Sequence, residues 1–312
     1  MLHHNAAATA AMLPYVPLCD AIAETLAGKR LGRVQAPQRT SLPLPGGGVL
    51  LLMPATDGDI AITKLITVHP GNPAAGLPLI QGEVDVMRAA TGERLGLMDG
   101  PETTARRTAA ASALAASLLA PDPEGPLLVV GAGVQALSHA LAFHAVLGTP
   151  RVTVCSRRVE RAKALAELLD AQGINAGYAQ DPAPQAAQAS LIVTATTSAS
   201  PVIPEAVRDD AFIAAVGSFS PDRAEIPAGL VRRSSVYVDD LDAAREEAGD
   251  LLLAGVDWAG VTPLEDALGE GGAAPDGVAP GGPVLYKGVG HASLDLAAAR
   301  LAFAQELARS AV

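Results

Sequence analysis

A glycine-rich turn carries the first chemical signal in the sequence. The apolar run Leu127–Val130 leads directly into GAGVQA at positions 131–136, a G-x-G-x-x-A pattern, and an apolar stretch that suits a helix follows. A buried strand, a glycine turn and a helix in this order are typical of dinucleotide-binding units. Gly131 permits the tight turn, Gly133 leaves room for a pyrophosphate, and the helix offers its free N–H groups to the phosphates. The pattern predicts dinucleotide binding, with a purely structural glycine turn as the alternative.

The residues after the second apolar run of this region bear on the choice of dinucleotide. Arg151–Cys155 is followed by Ser156, Arg157 and Arg158, at the point where NAD-binding proteins usually place an acidic residue against the ribose 2′-hydroxyl. A hydroxyl and two guanidiniums suit a 2′-phosphate instead. We therefore expect NADPH as the cofactor, with NADH possible, unless the two arginines are simply solvated charges at the start of a helix.

Three basic residues, Arg39, Lys64 and Arg107, are candidates for binding an anion. Lys64 stands in the apolar run Ile60–Val68, where period-two alternation places it on the more apolar face of a strand. A lysine on such a face needs an anionic partner or a function. Arg107 and its neighbour Arg106 lie in an alanine-rich helix and point in different directions, so only one readily faces a pocket. Solvated surface positions are the alternative interpretation.

Polar residues at the ends of later apolar runs are further candidates. Ligands bind beyond the carboxyl ends of parallel strands. Two sets of residues follow such runs: Thr194, Ala195 and Thr196 in one, and Gly217 and Ser218 in the other. We expect them near the nicotinamide half of a dinucleotide, unless they only mark loops.

The elements that position these residues fall into two groups. The first third is strand-rich, with strands predicted at Gly46–Met53, Asp59–Val68, Pro78–Met87 and Gly92–Met98. A helix over Thr104–Leu119, capped by Thr103 or Thr104, leads to the linker Pro121–Pro126, beyond which strands and helices alternate. This alternation predicts the α/β class with a doubly wound parallel sheet. Helices are also expected at Leu18–Leu26, Leu137–Leu147, Val159–Gln172 and Ala292–Ala308, a mobile start at Met1–Met12, and a surface loop at Gly269–Gly282.

Composition excludes several classes of function. The formal net charge of -11 disfavours nucleic-acid binding, and 3% aromatic residues offer bases little to stack on. No apolar run is long enough to span a bilayer, and no secretory signal is recognised, so a cytoplasmic protein is expected. Cys19 and Cys155 are interpreted as isolated buried thiols, and no metal-binding pattern is present.

Several segments together resemble the ornithine cyclodeaminase/mu-crystallin family along nearly the full chain. They are APQRT around Arg39, Lys64–Asn72, Thr91–Gly100, Thr104–Ala116, the GAGVQA turn, Thr194–Ser198 and Tyr286–Ala297. The resemblance implies a Rossmann domain, residues 121–290, and a substrate-binding and dimerisation domain made of residues 1–120 with 291–312. It also implies a homodimer.

The resemblance extends to individual site residues. It implies that Arg39, Lys64 and Arg107 bind the substrate, a small amino or imino acid, and makes them the catalytic candidates. The implied cofactor contacts are Thr108, Val134, Gln135, Ser156, Thr196, the turn Ala215–Ser218 with Val216, and Gly288 and Val289.

One departure from the family pattern narrows the expected activity. Cyclodeaminases carry an aspartate where this chain has Phe219, and they keep another acid at the position of Ser156. Both changes resemble the ketimine reductases of the family, which reduce Δ1-pyrroline-2-carboxylate and Δ1-piperideine-2-carboxylate to proline and pipecolate. Phe219 is then expected against the methylenes of the ring. The alternatives are an alanine-type amino-acid dehydrogenase, an ornithine cyclodeaminase, and a non-catalytic NADPH-binding protein.

Overall fold

The chain folds into two compact units. A computed structural model describes residues 2–268 and 281–308. The first unit combines Met1–Arg107 with His291–Val312, and the second is Thr108–Gly290. The division therefore falls inside an alanine-rich helix, whereas the sequence placed it in the Pro121–Pro126 linker.

The first unit is built on a six-stranded sheet. Its N-terminal part contains β1 (Leu2–His4), α1 (Ala6–Met12), α2 (Tyr15–Arg30), β2 (Thr40–Leu44), β3 (Gly48–Thr56), β4 (Ile60–Val68), β5 (Ile80–Arg88), β6 (Arg94–Asp99) and the start of α3 (Gly100–Leu119). The strand order is β1-β6-β5-β4-β3-β2, antiparallel except for the parallel pair β1–β6. The predicted strands of this third are confirmed, with ends shifted by a few residues.

The second unit is an eight-stranded parallel sheet with helical crossovers, which confirms the predicted fold class. Its elements are β7 (Leu127–Val130), α4 (Val134–Leu147), β8 (Val152–Cys155), α5 (Val159–Asp170), β9 (Ala176–Ala179), α6 (Ala183–Ala186), β10 (Leu191–Thr194), β11 (Phe212–Ala215), α7 (Ala228–Arg232), β12 (Ser235–Val238), α8 (Leu241–Glu247), α9 (Gly249–Ala254), β13 (Val261–Pro263) and β14 (Val284–Lys287). The order is β13-β12-β14-β11-β10-β7-β8-β9. The chain runs outward from β7 through β8 and β9 on one side, and β10 and β11 follow on the other side, where β14 later inserts between β11 and β12. β7 and β10 flank the switch point where such sheets bind ligands.

The chain returns to the first unit with α10 (Ala292–Ala302) and α11 (Ala304–Ala308). Helix α10 packs against α2, β3 and β4. The terminal helix was predicted as one element, but it breaks at Phe303, whose buried ring lies edge-on to His4 at 5.7 Å between centroids. Packing of this ring against the N-terminal strand explains why the helix does not continue straight.

Alternation along β4 places its side chains as the sequence predicted. Ile60, Ile62, Lys64 and Ile66 are buried on the side that α10 covers, and Leu65 between them is exposed. The opposite side of the sheet carries a leucine face, which we define as Leu42, Leu50, Leu52 and Leu65 from the register of β2, β3 and β4. Leu42 is 53% exposed and Leu65 is 43% exposed.

Two local predictions at the N-terminal side are wrong. The start of the chain is ordered rather than mobile, because β1 adds to the sheet beside β6 and the Thr9 hydroxyl accepts a hydrogen bond from the Asp99 N–H at 3.1 Å. Helix α3 begins at Gly100, four residues before the predicted start. Its cap is the Asp99 carboxylate, which accepts from the Glu102 N–H at 2.8 Å, and not Thr103 or Thr104.

The remaining elements were either missed or lie outside the description. Strands β2, β9 and β13 are short and were not predicted. Most of the loop predicted at Gly269–Gly282 lies outside the described residues.

Cys19 and Cys155 are buried free thiols, as predicted. In the two described stretches, no single helix is both long and apolar enough to cross a membrane. One pair of helices meets both criteria when taken together, Ala6–Met12 and Tyr15–Arg30, with a bend of 71° between them.

Candidate active site

A buried carboxylate joins two of the three predicted anion-binding residues in the first unit. The Asp295 Oδ2 atom lies 2.7 Å from the Lys64 Nζ atom, and the Arg107 Nε–H donates to Asp295 Oδ1 at 3.2 Å. All three side chains are buried. Lys64 comes from β4, Arg107 from α3 and Asp295 from α10, so three elements must pack together to form this cationic cluster.

The electrostatics of the cationic cluster favour an additional anion. Burial lowers the pKa of Lys64 to about 7; the Asp295 charge opposes this, while Arg107 and Arg39 lower the pKa further. Burial by itself would raise the pKa of Asp295, but Lys64 and Arg107 outweigh it and hold the pKa below its usual range. When Lys64 is protonated, one carboxylate faces two buried cations, and a net positive charge remains where the dielectric is low.

The two flanking arginines differ in their relation to the cluster. Arg39 precedes β2 and is half-buried, and its charge is close enough to act on Lys64. Arg106 points away: its Nε–H donates to Glu102 Oε1 at 2.7 Å, and its guanidinium lies 4.8 Å from the centre of the Tyr15 ring. The prediction that Arg106 and Arg107 point in different directions is confirmed.

The glycine turn in the second unit has the features that a pyrophosphate requires. Gly131 has a φ of +135°, and a Cβ there would lie 2.5 Å from the Ala195 carbonyl oxygen, so only glycine fits. At Gly133 a Cβ would meet no atom within 4 Å, which leaves open space over the backbone. Helix α4 starts at Val134 with no side-chain cap, and Val134 is 67% exposed, so the positive end of the helix dipole is open to an anion.

Two arginines place positive charge at the end of β8. Arg157 and Arg158 are both exposed, and neither guanidinium forms an ion pair with any residue in the described part of the chain. Ser156 is half-buried, and its hydroxyl accepts from the Arg158 N–H at 3.4 Å. The residues present therefore fit a phosphate group at the ribose.

The predicted residues after β10 and β11 are held by a glutamate that sequence reasoning missed. Glu225 is buried and accepts hydrogen bonds from Thr194, Thr196 and Gly217. Its only sequence signal is an acidic residue in the irregular segment PDRAEIP, which carries no periodicity. Asp295 was also missed, although a single acid in the apolar stretch ASLDLAAARLA gives the same signal that singled out Lys64.

The other predicted contacts are distributed within the second unit. Thr108 is half-buried in α3, Gln135 lies in the first turn of α4, Val216 follows β11, and Gly288 and Val289 are buried after β14. Phe219 is 40% exposed in the segment that follows Ser218. No group of three or more His, Cys, Asp or Glu residues suited to a metal occurs in residues 2–268 and 281–308.

Comparisons with known proteins agree over nearly the whole chain. The model of the ornithine cyclodeaminase/mu-crystallin family matches residues 4–308. The Delta(1)-pyrroline-2-carboxylate reductase 1 of Burkholderia multivorans is 43% identical over 302 residues, covering 96% of this chain and 94% of that protein. The Delta(1)-pyrroline-2-carboxylate/Delta(1)-piperideine-2-carboxylate reductase of Azospirillum brasilense is 41% identical over 299 residues, covering 96% and 94%.

A solved structure shows the same fold. The Delta(1)-pyrroline-2-carboxylate reductase of Thermococcus litoralis, in complex with NADH and L-proline, superposes with a TM-score of 0.91 at 25% identity. The match covers 99% of this chain and 98% of that one.

Replacing Asp295 by Asn is expected to lower the pKa of Lys64 further below about 7, because the carboxylate that favours its charged form is lost. The chain has only four lysines, so ε-carbon signals of labelled lysine, assigned by Lys→Arg variants, can be followed by NMR titration. We also expect a loss of stability of about 3–5 kcal/mol, the usual effect of breaking a buried ion pair. Arg106→Gln is the control, and an unchanged Lys64 titration in Asp295→Asn would contradict the assignment.

Proposed function

Because the chain belongs to the ornithine cyclodeaminase/mu-crystallin family, we propose that it is an enzyme that reduces the C=N bond of a cyclic imino acid with NADPH or NADH. The substrates are Δ1-pyrroline-2-carboxylate and Δ1-piperideine-2-carboxylate, and the products are proline and pipecolate. The observation that carries the proposal is the unbalanced positive charge of the cluster of Lys64, Arg107 and Asp295. The similarity to proteins named as reductases of these imino acids supports it.

The substrate carboxylate is assigned to Arg107, with Arg39 or Lys64 assisting. The Arg107 Nε–H donates to Asp295. We assign its terminal N–H groups to the substrate carboxylate, which they would bind through charge-assisted hydrogen bonds. In a buried setting these bonds also fix orientation, because the guanidinium is planar. Positioning of the ring is then the first contribution of the chain to catalysis.

Lys64 is assigned as the donor of the proton that the imine nitrogen gains. When bound, the nicotinamide supplies a hydride to C2 of the ring; the electron pair of the C=N bond moves to nitrogen, which must gain a proton. A lysine with a pKa of about 7 exchanges a proton near neutral pH. A substrate carboxylate beside Lys64 would favour its protonated form, so binding would prepare the donor. Phe219, in place of an acid, supplies apolar contact to the ring methylenes.

The dinucleotide is assigned to the glycine turn and the end of β8. Gly131, Gly133 and the first turn of α4 hold the pyrophosphate, and Ser156, Arg157 and Arg158 hold a ribose 2′-phosphate. These assignments support NADPH over NADH.

The proposal includes a homodimer formed through the leucine face, with a second copy of this chain as the occupant. Leu42 and Leu65 expose an apolar strip that neither α2 nor α10 covers, and exposed apolar patches mark interaction surfaces. A similar solved structure is described as an alanine dehydrogenase dimer. The cytoplasmic location predicted from the sequence stays a prediction.

The activity is tested by following dinucleotide oxidation with each cyclic imine, and with pyruvate plus ammonia and L-ornithine as comparison substrates. We expect turnover with the cyclic imines alone. Activity only with pyruvate and ammonia would instead identify an amino-acid dehydrogenase, and ammonia release from ornithine a cyclodeaminase. Arg107→Ala is expected to reduce kcat/KM by at least the equivalent of about 1.5–3 kcal/mol, while Arg106→Ala, one residue away, serves as the matched control.

Replacing both Arg157 and Arg158 by Ala is expected to weaken NADPH binding by roughly 10-fold or more, because charge-assisted hydrogen bonds to the 2′-phosphate are lost. NADH, which lacks this phosphate, should bind as before. Titration calorimetry with both dinucleotides measures the difference. Equal losses for NADPH and NADH would contradict the assignment of the two arginines.

Light scattering after size-exclusion chromatography is expected to give twice the mass of one chain. Leu65→Asp places a charge in the leucine face and should shift the protein toward the monomer. Leu253→Asp, at a position in α9 that is 58% exposed, is the control. A monomeric wild-type protein would refute the dimer.

A further inference from the structure

Glu225 makes an unusually complete set of hydrogen bonds within the second unit. Its Oε1 atom accepts from the Thr196 N–H at 2.7 Å and from the Thr196 hydroxyl at 2.6 Å. Its Oε2 atom accepts from the Gly217 N–H at 2.7 Å and from the Thr194 hydroxyl at 3.1 Å. Each oxygen thus contacts one backbone N–H and one hydroxyl, a set of donors that satisfies an ionised carboxylate.

The carboxylate joins the carboxyl ends of two neighbouring strands. Thr194 ends β10, Thr196 lies two residues beyond it, and Gly217 lies two residues beyond β11. A Cβ at position 217 would lie 2.3 Å from the Thr196 carbonyl oxygen and 2.5 Å from Glu225 Oε1. Only glycine there allows the two segments and the carboxylate to approach this closely.

A second buried pair fixes Glu225 itself. Asp250 Oδ1 accepts from the N–H groups of Glu225 at 2.6 Å and Ile226 at 2.9 Å. Asp250 Oδ2 lies 2.9 Å from Lys287 Nζ, at the end of β14, and Lys287 donates to the Ser218 carbonyl oxygen at 2.6 Å. Three adjacent strands, β10, β11 and β14, are therefore joined at their carboxyl ends by one buried network.

The segment that Glu225 holds lies directly against the glycine turn. The Ala195 N–H donates to the Val130 carbonyl oxygen at 2.9 Å. The space that a side chain at Gly131 would need is filled by the Ala195 carbonyl oxygen. Any displacement of Thr196 is thus transmitted through Ala195 to the crevice between β7 and β10.

We propose that Glu225 is a positioning residue for the nicotinamide half of the dinucleotide, an inference that rests on the proposed function. It holds Ala195–Thr196 and Gly217–Ser218 in the one arrangement that leaves their outer surface to the nicotinamide ribose and ring. The adenosine half is served by the glycine turn and the end of β8 and does not depend on Glu225.

The test compares the whole dinucleotide with its adenosine fragments. In Glu225→Gln an amide NH₂ must face either the Thr196 or the Gly217 N–H. We expect NADPH and NADH to bind roughly 10- to 100-fold more weakly, and adenosine 2′,5′-bisphosphate and AMP to bind unchanged, by titration calorimetry. The exposed Glu205→Gln is the control. Equal weakening of fragments and dinucleotides, or no weakening of either, would overturn the proposal.

A second pair of variants decides the matter if Glu225→Gln does not fold. Thr194→Val keeps the shape of a fully buried side chain but removes its donor to Glu225, and Thr194→Ser keeps the donor. Dinucleotide affinity should fall in the Val variant and be retained in the Ser variant; equal affinities would overturn the proposal. Wild-type protein that binds the dinucleotide but reduces no cyclic imine would refute the proposed function alone, and absence of dinucleotide binding would refute both.

Discussion

The burial of two cations beside a single carboxylate is the constraint on which the first unit depends. Removing a charge from water costs several kcal/mol per ion after relaxation, and Asp295 offsets this for Lys64 and Arg107 only because α10 packs directly onto β4. The compensation is incomplete, since one negative charge faces two positive ones. Burial, and then the charges of Arg107 and Arg39, lower the pKa of Lys64. The surplus positive charge makes an incoming carboxylate a stabilising partner for the folded protein.

The second unit buries a surplus of negative rather than positive charge, and it stabilises that charge in a different way. Its buried network contains two carboxylates, Glu225 and Asp250, and one ammonium, Lys287. Here the surplus negative charge is satisfied by N–H and hydroxyl donors from the protein itself, four to Glu225 and two to Asp250. A group whose donors are all internal has no need of a ligand. The cluster around Asp295 is therefore suited to bind an anion, whereas the network around Glu225 holds the neighbouring backbone segments in place.

Sequence patterns predicted the parts of this structure that a short local stretch of the chain determines. The alternation around Lys64 and the order of strand, glycine turn and helix around Gly131 are local, and both are confirmed. The helix break at Phe303 was missed because it depends on a contact with a distant residue, His4. The Asp99 cap of α3 was missed although its partner, Glu102, is only three residues away. Glu225 lies in an irregular segment, where neither period nor propensity marks a buried acid. Asp295 could have been found by the reasoning applied to Lys64, since its helix is otherwise apolar.

The discontinuity of the first unit has a consequence for biosynthesis. Asp295 follows Arg107 by 188 residues, and at about 5–20 residues per second a ribosome needs roughly 10–40 s to make them. During that interval Lys64 and Arg107 lack their counter-ion, and the whole of Thr108–Gly290 is synthesised before Asp295 is reached. The continuous unit can therefore mature first on the ribosome, while the strands that emerged earliest must wait for the chain to return.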